Sequence, residues 1–245
     1  LNFYLGQRVM KKRTTRILGK NMIISFFRVV FLFLLMFFCL DTKGQDFTPV
    51  HEPEIDLNWN LGDRWSMNAG FGTRHLIDEE HDARQVEISQ NTSYEVGFYS
   101  KVSFGITYRW RNTFNVNRQD ETLLIGQYAY SKKFNRLKIA HRFQSQIRLR
   151  ENLTINRNRY RFSVELPLSG RKVDLKEFFL VGSTEALWSV AESTKPEIGQ
   201  RFSAELGYKL ANNLQAMMGT QVRFDNYNLG VSRSIFFNTG LVISL

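Results

Sequence analysis

The chain has 245 residues, 43% hydrophobic and 14% aromatic, with four prolines, one cysteine and a formal charge of +10. Eight of its 33 Lys and Arg and one of its 23 acids fall in residues 1–45, so the remainder is nearly balanced, with 25 bases against 22 acids. Basicity confined to a leader is no footprint for nucleic acid, and a single cysteine excludes a disulfide-stapled scaffold.

Residues 29–40 (VVFLFLLMFFCL) form an apolar run between Arg28 and Asp41, preceded by a basic segment. The run is shorter than the roughly 20 apolar residues of a spanning helix, which predicts the core of a secretory signal peptide. Thr42 and Gly44 supply the small residues of a cleavage site. The expected division is a basic extension over residues 1–21, a signal peptide over 22–44 and one β domain over 45–245. Cys39 follows two phenylalanines, where a lipidation site would need small residues.

From Pro53 onward the sequence falls into segments of about nine to thirteen residues, the length of a tilted strand crossing a bilayer. Ile55, Leu57, Trp59 and Leu61 alternate with Glu54, Asp56, Asn58 and Asn60, the two-residue period of a strand. The next strand sets Trp65, Met67, Ala69, Phe71 and Thr73 against Ser66, Asn68, Gly70, Gly72 and Arg74. The third sets Val86, Ile88, Thr92 and Tyr94 against Gln85, Glu87, Ser89, Asn91 and Ser93. The fourth sets Val102, Phe104, Ile106, Tyr108 and Trp110 against Ser103, Thr107, Arg109 and Arg111. Residues 121–130 are strand-like, but the run Leu123, Leu124, Ile125 leaves their facing open.

Residues 137–149 resume the alternation, with Phe143, Ile147 and Leu149 opposite Arg142, Gln146 and Arg148. A loop is expected over 150–157, then a strand with Tyr160, Phe162 and Val164 opposite Arg159, Arg161 and Glu165. A turn at 169–172, a weaker strand at 178–188 carrying Glu185 inward, and a long loop at 189–199 follow. Phe202, Leu206 and Tyr208 then oppose Arg201, Glu205 and Lys209, and after a tight turn at 211–213 the strand at 214–224 carries Gln221 and Arg223. The last strand runs from Ser234, and Asn238, Gly240, Ile243 and Leu245 resemble the terminal signal that outer-membrane insertion machinery recognises.

Connections are expected to alternate short and long. With that ordering Trp59, Trp65, Tyr94, Tyr99, Tyr128, Tyr130 and Tyr208 gather at one end and Tyr108, Trp110, Tyr160 and Trp188 at the other, as two girdles at headgroup level. The expected fold is all-β, an antiparallel up-and-down transmembrane β-barrel. Eleven strands are countable, and a short further strand at residues 47–51 would make twelve and give the even number of bacterial barrels; ten is the next expectation.

Such a barrel turns its apolar face to lipid and its polar face to the lumen. Arg74, Arg109, Arg111, Arg148, Arg159, Arg161, Arg201 and Arg223 then form a cationic tier toward the external mouth. One reading is contact with small anionic solutes, because confined guanidiniums bind carboxylate and phosphate bidentately. The other is a lattice in which these arginines pair with Glu54, Asp56, Glu87 and Glu185, or meet lipopolysaccharide phosphates at the rim. His141 and Ser145 share the outward face, but four residues along a strand is about 13 Å, too far for a nucleophile and its base. The acidic loop 78–82 is read as solvated rather than as a cation site. No catalytic residue, metal or cofactor is expected.

Arg74, the strands around Arg142 and Phe143 and around Arg159 and Arg161, Glu185, Gln200-Arg201-Phe202 and Gly207-Tyr208-Lys209-Leu210 together resemble the outer-membrane proteins grouped as domain of unknown function 2490. The resemblance covers about residues 47–245 and implies a barrel without implying an activity. The expected function is a small outer-membrane barrel, either a narrow channel favouring anionic solutes or a structural envelope protein, with outer-membrane lipid, lipopolysaccharide and the insertion machinery as partners. Two alternatives are a soluble periplasmic lipocalin-like barrel, with the alternation turned inward on an apolar ligand, and an outer-membrane lipid hydrolase.

Overall fold

Alternation of side chains across a pleated strand makes one face of each segment apolar, and a sheet that curls shut satisfies every edge. The computed structural model describes residues 48–77, 83–114, 118–192, 194–228 and 230–245. Among these lie eleven strands: β1 Thr48–Asn60, β2 Trp65–Leu76, β3 Ala83–Gly97, β4 Ser100–Trp110, β5 Glu121–Phe134, β6 Leu137–Arg150, β7 Leu153–Pro167, β8 Phe178–Ala191, β9 Glu197–Ala211, β10 Leu214–Asp225 and β11 Ser232–Ser244. Each pairs antiparallel with its sequence neighbour, and β1 closes the barrel by pairing parallel with β11. The expected leader, residues 1–44, and the acidic loop at 78–82 lie outside the described residues.

The count of twelve is corrected to eleven. Thr48 to His51 are the first residues of β1, which passes through Pro53 without ending. Proline was expected to mark a boundary because it lacks an N–H, yet its fixed φ suits an extended chain. An odd number of alternating strands makes the first and last run the same way, which is why the closing pair is parallel. Its register is unbroken from Thr48 opposite Ser234 to Asn58 opposite Ser244.

The facing follows the alternation throughout. Phe104 is 73% exposed and Ile106 46%, so the apolar side looks out and the lipocalin-like arrangement is not the one adopted. In β5 the ambiguous run resolves with Leu124 outward and Leu123 inward, fully buried. The apolar residues that are buried, Val50, Leu123, Phe179, Leu187 and Phe236, sit inside among the polar side chains.

We call the end where β11 finishes the lower rim. It carries the connections 61–64, 98–99, 135–136, 168–177 and 212–213, and at the upper rim lie the ends of β2, β4, β6, β8 and β10 and the starts of β3, β5, β7, β9 and β11. Two expected lengths are reversed. β6 turns into β7 on Glu151 and Asn152 alone, and residues 168–177 make a long connection at the lower rim. The rings of Trp65 and Tyr94 lie tilted with centroids 4.8 Å apart and those of Phe178 and Tyr208 4.5 Å apart toward the lower rim, and Tyr108 meets Trp110 edge-on at 4.8 Å toward the upper. Tyr160 lies midway along β7, below the exposed Thr154, Asn156 and Asn158, and not at the upper end where it was expected.

Candidate functional site: an arginine-lined lumen

The inward positions of the upper half converge on a cavity of about 810 Å³. All eight arginines expected in the lumen, from Arg74 to Arg223, line it, joined by Arg118, Arg150 and Arg157. Period-two geometry places the strand arginines there, because each has the inward parity of its strand; Arg111 follows the end of β4 and Arg118 comes from the connection between β4 and β5.

Two acids behind this wall organise the guanidiniums. Glu121, the first residue of β5 and 1% exposed, accepts from Arg148 at 2.6 Å, Arg150 at 2.8 Å and Arg109 at 3.1 Å, with Arg111 at 3.8 Å. Glu185 on β8, 2% exposed, lies 2.8 Å from Arg161, 3.2 Å from Arg142 and 3.6 Å from both Arg159 and Arg201. One carboxylate cannot neutralise four guanidiniums, so each cluster keeps a cationic excess. Leu123 and Leu187 lie inward beside these hubs, where the hydrocarbon stems of Arg148 and Arg159 are their cross-strand neighbours.

A third cluster spans the parallel seam. Glu52 of β1 pairs with Arg74 of β2 and, at 2.7 Å, with Arg223 of β10. The guanidinium carbon of Arg223 lies 3.3 Å from the centre of the Phe236 ring and that of Arg74 lies 5.4 Å away, a double cation–π contact. Arg109 also donates to Glu87 at 2.7 Å. Arg157 is held differently: its Nε donates to the Ser189 hydroxyl at 2.7 Å, and no carboxylate among the described residues pairs with it.

The family model for proteins of unknown function, DUF2490, matches residues 54–233. The chain belongs to that family. Its solved structural neighbours are barrels. In-vitro folded OmpT, an outer membrane protein of Vibrio cholerae, is 13% identical with a TM-score of 0.42 over 67% of this chain and 51% of that one. A loop L8 deletion mutant of the same protein is 12% identical with a TM-score of 0.42, over 74% and 59%. The siderophore receptor PirA of Pseudomonas aeruginosa is 16% identical with a TM-score of 0.30, over 71% and 34%. The chain thus spans about half the length of the OmpT chains. No curated protein matches it.

Against this DUF2490 barrel the remaining expectations can be placed. Of the four acids expected to pair with the arginine tier, Glu87 and Glu185 do. Glu54 and Asp56 make no ion pair with it among the described residues, and the structure puts Glu52 and Glu121 in their stead. Asp56 instead accepts from Asn68 at 2.9 Å. Arg150 and Arg157 were hidden by an expected loop; parity alone, carried on from Arg148 and back from Arg159, finds them. His141 bonds the Tyr160 hydroxyl at 2.9 Å rather than Ser145. Asn238 lines the cavity, Gly240 and Ile243 lie in β11, and Leu245 follows its last residue.

Below the tier, inward side chains occupy the space over glycines directly across the ladder. Phe179 covers Gly207, where an added Cβ would come 2.1 Å from the ring, and Asn91 covers Gly105 at 1.9 Å. At the upper rim, outside the strands, the backbone N–H groups of Arg111 and Asn112 donate to Asp120 at 2.7 and 2.9 Å. These bonds hold its carboxyl below the ordinary value.

Proposed function

We propose that the chain is an outer-membrane barrel whose cationic upper vestibule admits and concentrates small anionic solutes. The observation that carries this reading is the charge on the cavity wall: eleven guanidiniums line it against six carboxylates. Glu121 and Glu185 behind the wall bring the carboxylates only to eight. Guanidiniums crowded in a confined space of low dielectric lower the energy of an entering anion and raise that of a cation. On this reading the lower rim faces the periplasm, the rim arginines stand near lipopolysaccharide phosphates, and the insertion machinery takes hold of Asn238, Gly240, Ile243 and Leu245.

The test is reversal potential in planar bilayers under a potassium chloride gradient. Wild-type barrel is expected to conduct with anion preference, and Arg157→Glu, which breaks no ion pair, to move the potential toward zero by at least half. A cation-selective wild type would sink the reading. The packing of Phe179 and Asn91 on glycines favours a second reading, a filled structural barrel; wild-type protein that inserts and stays electrically silent would select it.

A further inference from the structure

The backbone ladder of the barrel is interrupted between β1 and β2. Their register runs Val50 to Leu76 and His51 to His75, then resumes at Glu54 opposite Gly72, leaving Glu52 and Pro53 without ladder partners on β2. Both residues remain in register with β11, so the gap is one-sided. Pro53 has no N–H to donate, and β2 carries a register shift at Arg74 and His75 against β3. Among the described residues no other interstrand ladder lacks two consecutive partners in the middle of its register.

On the lumen side the Glu52–Arg74 ion pair reaches across the interruption, so the gap is latched by charged side chains and not by backbone. Glu54 is flanked by glycine on both sides, Gly72 on β2 and Gly240 on β11. A Cβ added at Gly72 would still be 3.4 Å from its nearest neighbour and one at Gly240 3.7 Å. Backbone without ladder partners is tolerated at membrane depth where it borders a watered cavity.

A second cavity lies on the outer face at this point. It is an apolar groove of about 540 Å³ whose walls include Ile55, Phe71, Met218 and Leu241. Pro53, Glu54 and Thr73 belong to both the groove and the arginine-lined lumen, so the two cavities meet the same stretch of wall from opposite sides. At the upper end of the groove His51 bonds Thr239 at 3.1 Å and His75 bonds Thr73 at 3.0 Å, polar groups on a face otherwise apolar.

We propose that the gap between β1 and β2 is a lateral portal through which a long-chain carboxylate, a single-chain anionic amphiphile, passes between the lumen and the lipid. The groove takes its acyl chain. Its headgroup exchanges first with the His51 and His75 pair and then with Arg74 and Arg223, which stand just inside beside Glu52 and offer the forked donors a carboxylate needs. Glu54 fills the gap itself, so the headgroup rests at the guanidinium tier and not in the portal. The proposal rests on the membrane placement of the barrel and not on its ion selectivity.

The test uses a diazirine-bearing palmitate with the barrel in lipid nanodiscs, and maps photo-crosslinks by mass spectrometry. Wild-type protein is expected to be labelled both on groove residues such as Met218 and Leu241 and on the lumen residue Phe236. A Pro53→Cys, Thr73→Cys pair in a Cys39→Ser background, oxidised to staple the strands, is expected to lose lumen labelling at least tenfold while keeping groove labelling, with recovery on reduction. Gly72→Leu, which fills the gap without a disulfide, is expected to act like the staple. Chloride conductance should survive the staple, which separates this proposal from the channel reading. Absent lumen labelling in wild type, or labelling unchanged by both variants, overturns it.

Discussion

Glu121 stands at the focus of four guanidiniums and is almost wholly withdrawn from solvent. Removing one member of a buried, hydrogen-bonded ion cluster leaves the rest uncompensated, at a cost of about 3–5 kcal/mol. Glu121→Gln is therefore expected to lower stability by that order, read as an earlier urea midpoint of tryptophan fluorescence in lipid vesicles. Lys172 and Asp174 pair at 3.2 Å but are more than half exposed, and Asp174→Asn should shift nothing measurable. Equal losses from the two variants would mean that the hubs are not what holds the tier together. The arginines of this tier were legible because inward parity and strand height are sequence properties. Their anchor Glu121 was not, since the Leu123, Leu124, Ile125 run that follows it has no period to fix its face.

At the level of strands, facing was read correctly, and so were the starts of β2, β5, β6, β8 and β10, while several far ends were drawn short. The alternation in β4 or β9 fixes facing because a slip of one residue would put every apolar group into the lumen. Ends lack such a constraint. Residues 150–157 have the composition of a loop, yet they continue β6 and β7 to a turn on Glu151 and Asn152. The inward pairs have their own rule, a large side chain laid over a glycine on the next strand. Gly207→Ala is expected to destabilise by about 1–3 kcal/mol, the usual cost of overpacking, because its Cβ would collide with Phe179. Phe179→Ala in the same chain should recover most of the Gly207→Ala term in a double-mutant cycle; additive losses would show that the contact does not decide the local packing.

For the whole molecule the decisive asymmetry is an apolar exterior around a charged interior. Phe104 on the outer face is the place to measure it. Phe104→Arg should cost about 2–4 kcal/mol in a bilayer, again by chemical unfolding in vesicles, and should cost far less in a detergent that lets the guanidinium reach water. No difference between the two media would mean that lipid does not cover this face. Barrel closure was legible from the number and length of alternating segments. The strand number was not, because Pro49 and Pro53 look like punctuation in the sequence and are absorbed within β1.

The parallel meeting of β1 and β11 limits how this protein could be re-engineered. Residue 244 ends at one rim while residue 48 starts at the other, each beside the like end of the neighbouring strand. Circular permutation, which an even-stranded barrel accepts through a two-residue hairpin, would here require a linker that travels the full height of the wall, since parallel neighbours are joined only by crossovers. New termini opened at the 151–152 turn would thus come with a strap of at least a dozen residues, laid across the mouth or through the lumen it encloses.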